Sequence, residues 1–345
     1  MTKLAGTIMS AREELQPIVC GTDFSAAAME AADIAAGMVK RLKAKLFMVH
    51  VNAMHGIAKA DPKLFEATLS QERVELHREA SRLQKLGITV EAQMRAGSAF
   101  DELVSAAIEV KARLIVVGAV GHGLARRLLI GSVAERTAGT SPIPTLVVRP
   151  ASRLGSWAKG KQSLKVLVGY DFSAAGDAAL RWVNAIQTIG SCKINVLHID
   201  WPPEEAKRAG YHGPLPLTKN PARLQNFIER DLSERVAMIL PPKNVTLTVE
   251  PGWGRTEAYL FEKAHRWGAD LVIIGTHRRH GLDRLRFGSV SRSVLHHATV
   301  SVAVVPPEEE QLGHDLMKKK RASRFPVLRQ KLNPSASPSV KRRQS

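Results

Sequence analysis

The chain has very little cysteine. Its 345 residues hold two, Cys20 and Cys192. Both sit inside short apolar runs, so they read as buried thiols and not as a disulfide or a metal site. No apolar run reaches the roughly 18–20 residues that a membrane helix needs. Met1 to Gln16 lacks an apolar stretch behind a basic one, so no secretory signal is expected. These features lead us to expect a cytoplasmic protein with no membrane partner. Several catalytic signatures are also missing. There is no G-x-x-x-x-G-K-[ST] loop, no G-x-S-x-G elbow and no protein-kinase set. Nor does the sequence place a general base beside a nucleophile, so an enzyme is not expected.

What is present, first, is positive charge. The formal net charge is +18. Ten basic residues fall in the last 28 positions, from Lys318 to Arg343. The stretch 308–345 has no apolar period and reads as a flexible basic tail. A nucleic acid or another polyanion is a candidate partner for it.

Second, one module is written twice. Pro17-Ile-Val-Cys-Gly-Thr-Asp-Phe-Ser25 matches Lys165-Val-Leu-Val-Gly-Tyr-Asp-Phe-Ser173. Ala112-Arg-Leu-Ile-Val-Val-Gly118 matches Ala269-Asp-Leu-Val-Ile-Ile-Gly275, and Gly131-Ser-Val133 matches Gly288-Ser-Val290. Early pairs are 148 residues apart and late pairs 157, which places nine extra residues in the second copy, in the Pro/Gly-rich stretch 201–221. The organisation expected is a first domain at 14–150, a linker at 151–163 and a second domain at 164–307.

In the first copy the short, β-branched apolar runs 17–22, 45–51, 88–94, 113–118 and 143–148 read as buried parallel strands. Helical segments lie between them, at about 25–42, 62–86, 99–111 and 131–139. Ser25 is a suitable N-cap for the first. Asp61-Pro62 places a cap and an N1 proline at the second. Asp101 and Glu102 favour the start of the third near Ser98. Alternating strands and helices give βαβ units, hence an α/β fold with helices on both faces of a parallel sheet.

Ligands of such sheets lie beyond the carboxyl ends of the strands. Strand 1 ends in Gly21-Thr22-Asp23. Strand 4 ends in Gly118 and opens a loop with Gly121 and, after nine residues, Gly131-Ser132. Glycines let a backbone approach a phosphate, and consecutive N–H groups make an anion nest. Ser132 opens a helix, whose dipole favours phosphate. Two plainer readings stay open: the glycines could serve only tight turns, and Asp23 could cap the first helix.

The G-x2-G-x9-G-[ST] run, the V-x-x-D-x-S opening and the second strand ending in His50-Val51 together resemble the universal stress protein family. The resemblance covers both copies, over about 14–150 and 162–306. It implies two tandem five-stranded, Rossmann-like sheets of order 3-2-1-4-5 and a bound ATP or another adenine nucleotide, with Mg2+ held through the phosphates. Asp23, with the backbone of Gly21 and Thr22, would hold the ribose or adenine side. Val51 would offer its backbone to the adenine edge. Gly118, Gly121, Gly131, Ser132 and Val133 would surround the phosphates, and Val117 would belong to the same site.

The second copy departs from this pattern. Asp171, Ile199, Gly275, Gly288 and Ser289 match, but the middle glycine is Arg278. That arginine can fill the phosphate space or bind phosphate through its guanidinium. A weakened second site is expected. His50 and His198 have no ligand partners at metal spacing and read as structural.

The resemblance implies a nucleotide-binding stress-response sensor or adaptor. A slow ATPase or phosphotransferase and a polyanion-binding protein are the alternatives. Family members commonly pair through the fifth strand. The apolar segments 143–148 and 300–305 are therefore expected to join the two copies within one chain. A further homodimer stays open.

Overall fold

The computed structural model describes residues 16–52, 61–121, 130–276 and 288–307. The basic tail, His277, Arg278 and His280 lie outside them. In the first copy β1 (Ile18–Gly21), α1 (Ala26–Leu42), β2 (Leu46–Asn52), α2 (Pro62–Gln84), β3 (Val90–Ala96), α3 (Ala99–Glu109), β4 (Leu114–Gly118), α4 (Ser132–Thr140) and β5 (Thr145–Val148) follow in turn. After α5 (Leu154–Ala158), the second copy runs β6 (Leu164–Gly169), α6 (Ala174–Ile186), β7 (Cys192–Asp200), α7 (Pro202–Arg208), α8 (Ala222–Ala237), β8 (Val245–Pro251), α9 (Thr256–Trp267), β9 (Leu271–Gly275), α10 (Ser289–His297) and β10 (Ser301–Val305).

The helix starts follow local chemistry. Ser25 caps α1, its Oγ accepting the Ala28 N–H at 3.2 Å. Asp61 caps α2 by accepting from Leu64, with Pro62 in the first turn where no N–H is needed. Ser98 stands at the N-cap of α3 without a capping bond from its side chain. β3 lies two residues later than the apolar run suggests. It pairs with β2 from Leu46↔Val90 to Asn52↔Ala96, so the ladder and not the apolar pattern sets its bounds.

All ten strands form one sheet, ordered β3-β2-β1-β4-β5-β10-β9-β6-β7-β8. Within each copy the pairs are parallel and the order is 3-2-1-4-5. The copies join where β5 meets β10 antiparallel, with Val147↔Val302, Leu146↔Ala303 and Thr145↔Val304 in register. Each fifth strand thereby covers the other's open edge, which would otherwise carry unpaired backbone groups. A buried side chain reinforces the seam. Arg149 follows β5, and its guanidinium donates to the Leu295 carbonyl of α10 at 2.8 Å.

The connecting stretch is packed against both copies. Leu154 and Trp157 of α5 are each 1% exposed. A Cβ added at Gly37 of α1 would lie 2.9 Å from Ala158, and one at Gly190 would lie 2.7 Å from the Trp157 Nε1. The glycines on either side thus admit this short helix. Its two apolar side chains, three residues apart, are too few to register as a periodic pattern.

Candidate functional site

The first-copy candidates come together at the carboxyl ends of β1, β2 and β4. β1 stops pairing with β2 at Gly21↔Val49, and the Thr22 N–H then donates to the Val49 carbonyl. A strand turns every second residue the same way. Val51 therefore points its backbone N–H and C=O past the end of β1, while its opposite neighbour on β3 is Arg95. The chain after β1 bends sharply: Phe24 has φ 65°. Asp23 Oδ1 accepts the Ser25 N–H at 3.0 Å, so the carboxylate braces the turn while Ser25 does the capping. His50 is buried, and its Nδ1 donates to the Thr22 carbonyl at 2.8 Å. Its Nε2 lies 3.3 Å from Glu72 Oε2. This histidine fixes the Thr22–Asp23 turn from below. His198 does the same in the second copy, 2.9 Å from the Tyr170 carbonyl.

The loop glycines have separate jobs. A Cβ on Gly118 would meet the Ala27 carbonyl group at 2.9 Å, so this glycine lets β4 end against the start of α1. A Cβ on Gly121 would lie 2.3 Å from Asp23 Oδ2. No side chain fits there unless the carboxylate moves. The Gly131 N–H donates to the Ala119 carbonyl at 2.7 Å, and a Cβ on Gly131 would lie 3.8 Å from the Gly121 nitrogen. Val117 is buried in β4, whereas Ser132 and Val133 are exposed on the first turn of α4. The N-cap residue is Gly131, which has no side chain to cap that turn. The first N–H groups of a helix have no intrahelical partner, and here they lie near Gly121.

The second copy repeats the floor. Asp171 Oδ1 accepts from the Ser173 N–H at 3.1 Å, and Phe172 has φ 59°. A Cβ on Gly275 would lie 2.5 Å from the Ala175 carbonyl carbon. Here a cleft of about 1250 Å³ opens. Asp171, Ile199, Gly275, Gly288 and Ser289 all line it, over an apolar base that includes Leu197, Leu260 and Ile274. Its far wall belongs to the first copy, with Phe100, Arg136 and Thr140 among its residues.

Comparison with known proteins then decides the family. The model of the universal stress protein family matches residues 14–149 and again 163–306. The chain belongs to the universal stress protein family. A universal stress protein of Methanocaldococcus jannaschii is 32% identical over 137 residues, 38% of this chain and 81% of that protein. A crystal structure of a universal stress protein from Archaeoglobus fulgidus superposes on 86% of this chain and 99% of that one, with TM-score 0.62 and 19% identity, a likeness of fold. A universal stress protein crystallised in complex with cAMP matches 39% of this chain and 98% of that one, at 28% identity and TM-score 0.30.

Two features where the copies of this universal stress protein meet were not read from the sequence. One is the wall that the first copy lends to the second copy's cleft. The other is the junction between α4 and α10, where Arg292 Nε donates to Glu135 Oε1 at 2.8 Å and His296 Nε2 lies 3.1 Å from the same oxygen. Aligning the two copies at an offset of 157 would have exposed the second, since it puts Glu135 opposite Arg292. Burial works to raise the Glu135 carboxyl, but the bonds from His296 and Arg292 outweigh it and hold the group below its ordinary value. Among the described residues no three His, Cys, Asp or Glu side chains group in a way that could hold a metal, and no helix is long and apolar enough to cross a membrane. Both thiols are buried, and burial pushes each up to about 12, Cys20 with help from Glu79 and Asp33.

Proposed function

We propose that the first copy binds ATP or another adenine nucleotide and that the protein works as a stress-response sensor or adaptor. The observation that carries this reading is the approach of Gly121 to Asp23 beside the uncapped start of α4. A carboxylate repels phosphate, so Asp23 suits ribose hydroxyls, which donate hydrogen bonds to it. The phosphates then belong on the other side of Gly121. There, beside Gly131, Ser132 and Val133 present N–H groups and a hydroxyl at a helix start, which favours negative charge. Val51, its backbone groups turned past the end of β1, suits the adenine edge, which carries both a donor and an acceptor. Gly21 and Gly118 act by packing: a Cβ on Gly21 would come within 2.9 Å of Leu103. Mg2+, when present, would be held through the phosphates.

Binding to the folded state alone stabilises it by about 2.7 kcal/mol at a ligand concentration of 100 times Kd. ATP should therefore raise the melting temperature in a concentration-dependent way. An unchanged melting temperature across millimolar ATP, with no nucleotide found by mass spectrometry after denaturation, would count against the proposal.

A further inference from the structure

The two copies differ in what each lends the other. In the first copy the Arg136 guanidinium lies over the Phe100 ring, 4.9 Å from its centre. Adding 157 to these positions gives Glu257 and Ser293 in the second copy. A cation on a ring in one copy thus corresponds to an acid and a hydroxyl in the other. The Phe100–Arg136 pair lines the second copy's cleft. Arg292 lines it as well, but its charge is engaged by Glu135 at 2.8 Å. Among the described residues Arg136 has no carboxylate partner, and it lies exposed on the cleft wall. The ring beneath it limits the side chain's freedom and lowers the entropy lost on binding.

The cleft thus offers an apolar base, a carboxylate at Asp171 and, from the far wall, the guanidinium of Arg136. That set suits a molecule with a flat apolar part, hydroxyls and an anionic end. We infer that Arg136 of the first copy, braced by Phe100, holds the phosphate end of a nucleotide seated in the second copy's cleft. The ligand class rests on the nucleotide reading above; the place and the residues do not. Helix α4 then serves both sites, with Gly131 and Ser132 at its start in the first and Arg136 and Thr140 in the second.

The test is calorimetry with ATP on the full chain. Gly121→Val disables the first site, and Arg136→Ala is then added. The expected result is that the Gly121→Val chain still binds ATP and that Arg136→Ala weakens this residual binding about tenfold or more, the loss expected for a charge-assisted contact. Arg136→Lys, which keeps the charge but not the fork, should recover part of the loss. Binding abolished by Gly121→Val alone would overturn this inference and leave the first-copy reading intact. Residual binding indifferent to Arg136→Ala would overturn it too. Binding indifferent to both changes would overturn both readings. Arg136 is exposed, so its replacement leaves the core untouched.

Discussion

Glu135 and Arg292 hold the same position in the two copies, 157 residues apart, and they pair with each other across the junction at 2.8 Å. In a symmetric dimer of either copy alone that position would face itself, Glu against Glu or Arg against Arg. The two copies carry opposite charges there, so the pair favours joining one copy to the other over joining two identical ones.

Reversing one charge should therefore weaken the junction, and reversing both should repair it. Glu135→Arg or Arg292→Glu should each cost up to about 1 kcal/mol, the upper range for a partly exposed pair. The double variant should return most of that loss in denaturant unfolding. A double variant as unstable as the sum of the two singles would remove the pairing argument.

The same pair makes a pH prediction. The Glu135 carboxyl titrates below its ordinary value of 4.5 in the folded chain. Its stabilisation is then fully present above that value and is lost as pH falls through the lowered one. Wild type should melt higher than Glu135→Gln at neutral pH, and the gap should shrink as pH falls below the ordinary carboxyl value of 4.5. A gap of constant size from neutral to acid pH would mean that the charge contributes nothing.

The seam between β5 and β10 can be opened from either side. Val147 and Ala303 are buried, and each lies in a strand with neighbours on both sides. Proline there cannot donate to the ladder and distorts the strand. Small-angle scattering should show Val147→Pro and Ala303→Pro as more extended than wild type. Two variants as compact as wild type would show that other contacts hold the copies together.

One of those contacts is Trp157. It is buried between the copies, against Gly190. Trp157→Ala should cost about 3–5 kcal/mol, the usual range for emptying a buried aromatic site. A loss below about 1 kcal/mol, the scale of a surface change, would contradict the packing described.

Much of this was legible in the sequence because strong signals repeat. The apolar runs of the first copy, Ser25 and the Asp61-Pro62 pair placed its strands and two caps within a few residues. The join through 143–148 and 300–305 followed from the need to cover an open edge and from the family resemblance. The wall made by Phe100 and Arg136 was not legible. Those residues lie on separate helices of one copy and face the other copy, so no local period or motif marks them. Trp157 was missed for a related reason, since its partner Gly190, like the Gly37 that faces Ala158, is distant in sequence and has no side chain to form a pattern. The separate uses of Gly118 and Gly121 also needed coordinates. One spacing holds both, but Gly118 abuts backbone and Gly121 abuts a carboxylate.

That last distinction provides the most direct test of the central claim, that the first copy binds an adenine nucleotide beside Asp23. The measurement is a calorimetric titration of the full chain with ATP, wild type against Gly121→Val, with melting temperature as the control for folding. The variant is expected to keep its fold and lose the first-copy binding event. A folded Gly121→Val chain that binds ATP with undiminished stoichiometry and affinity would contradict it.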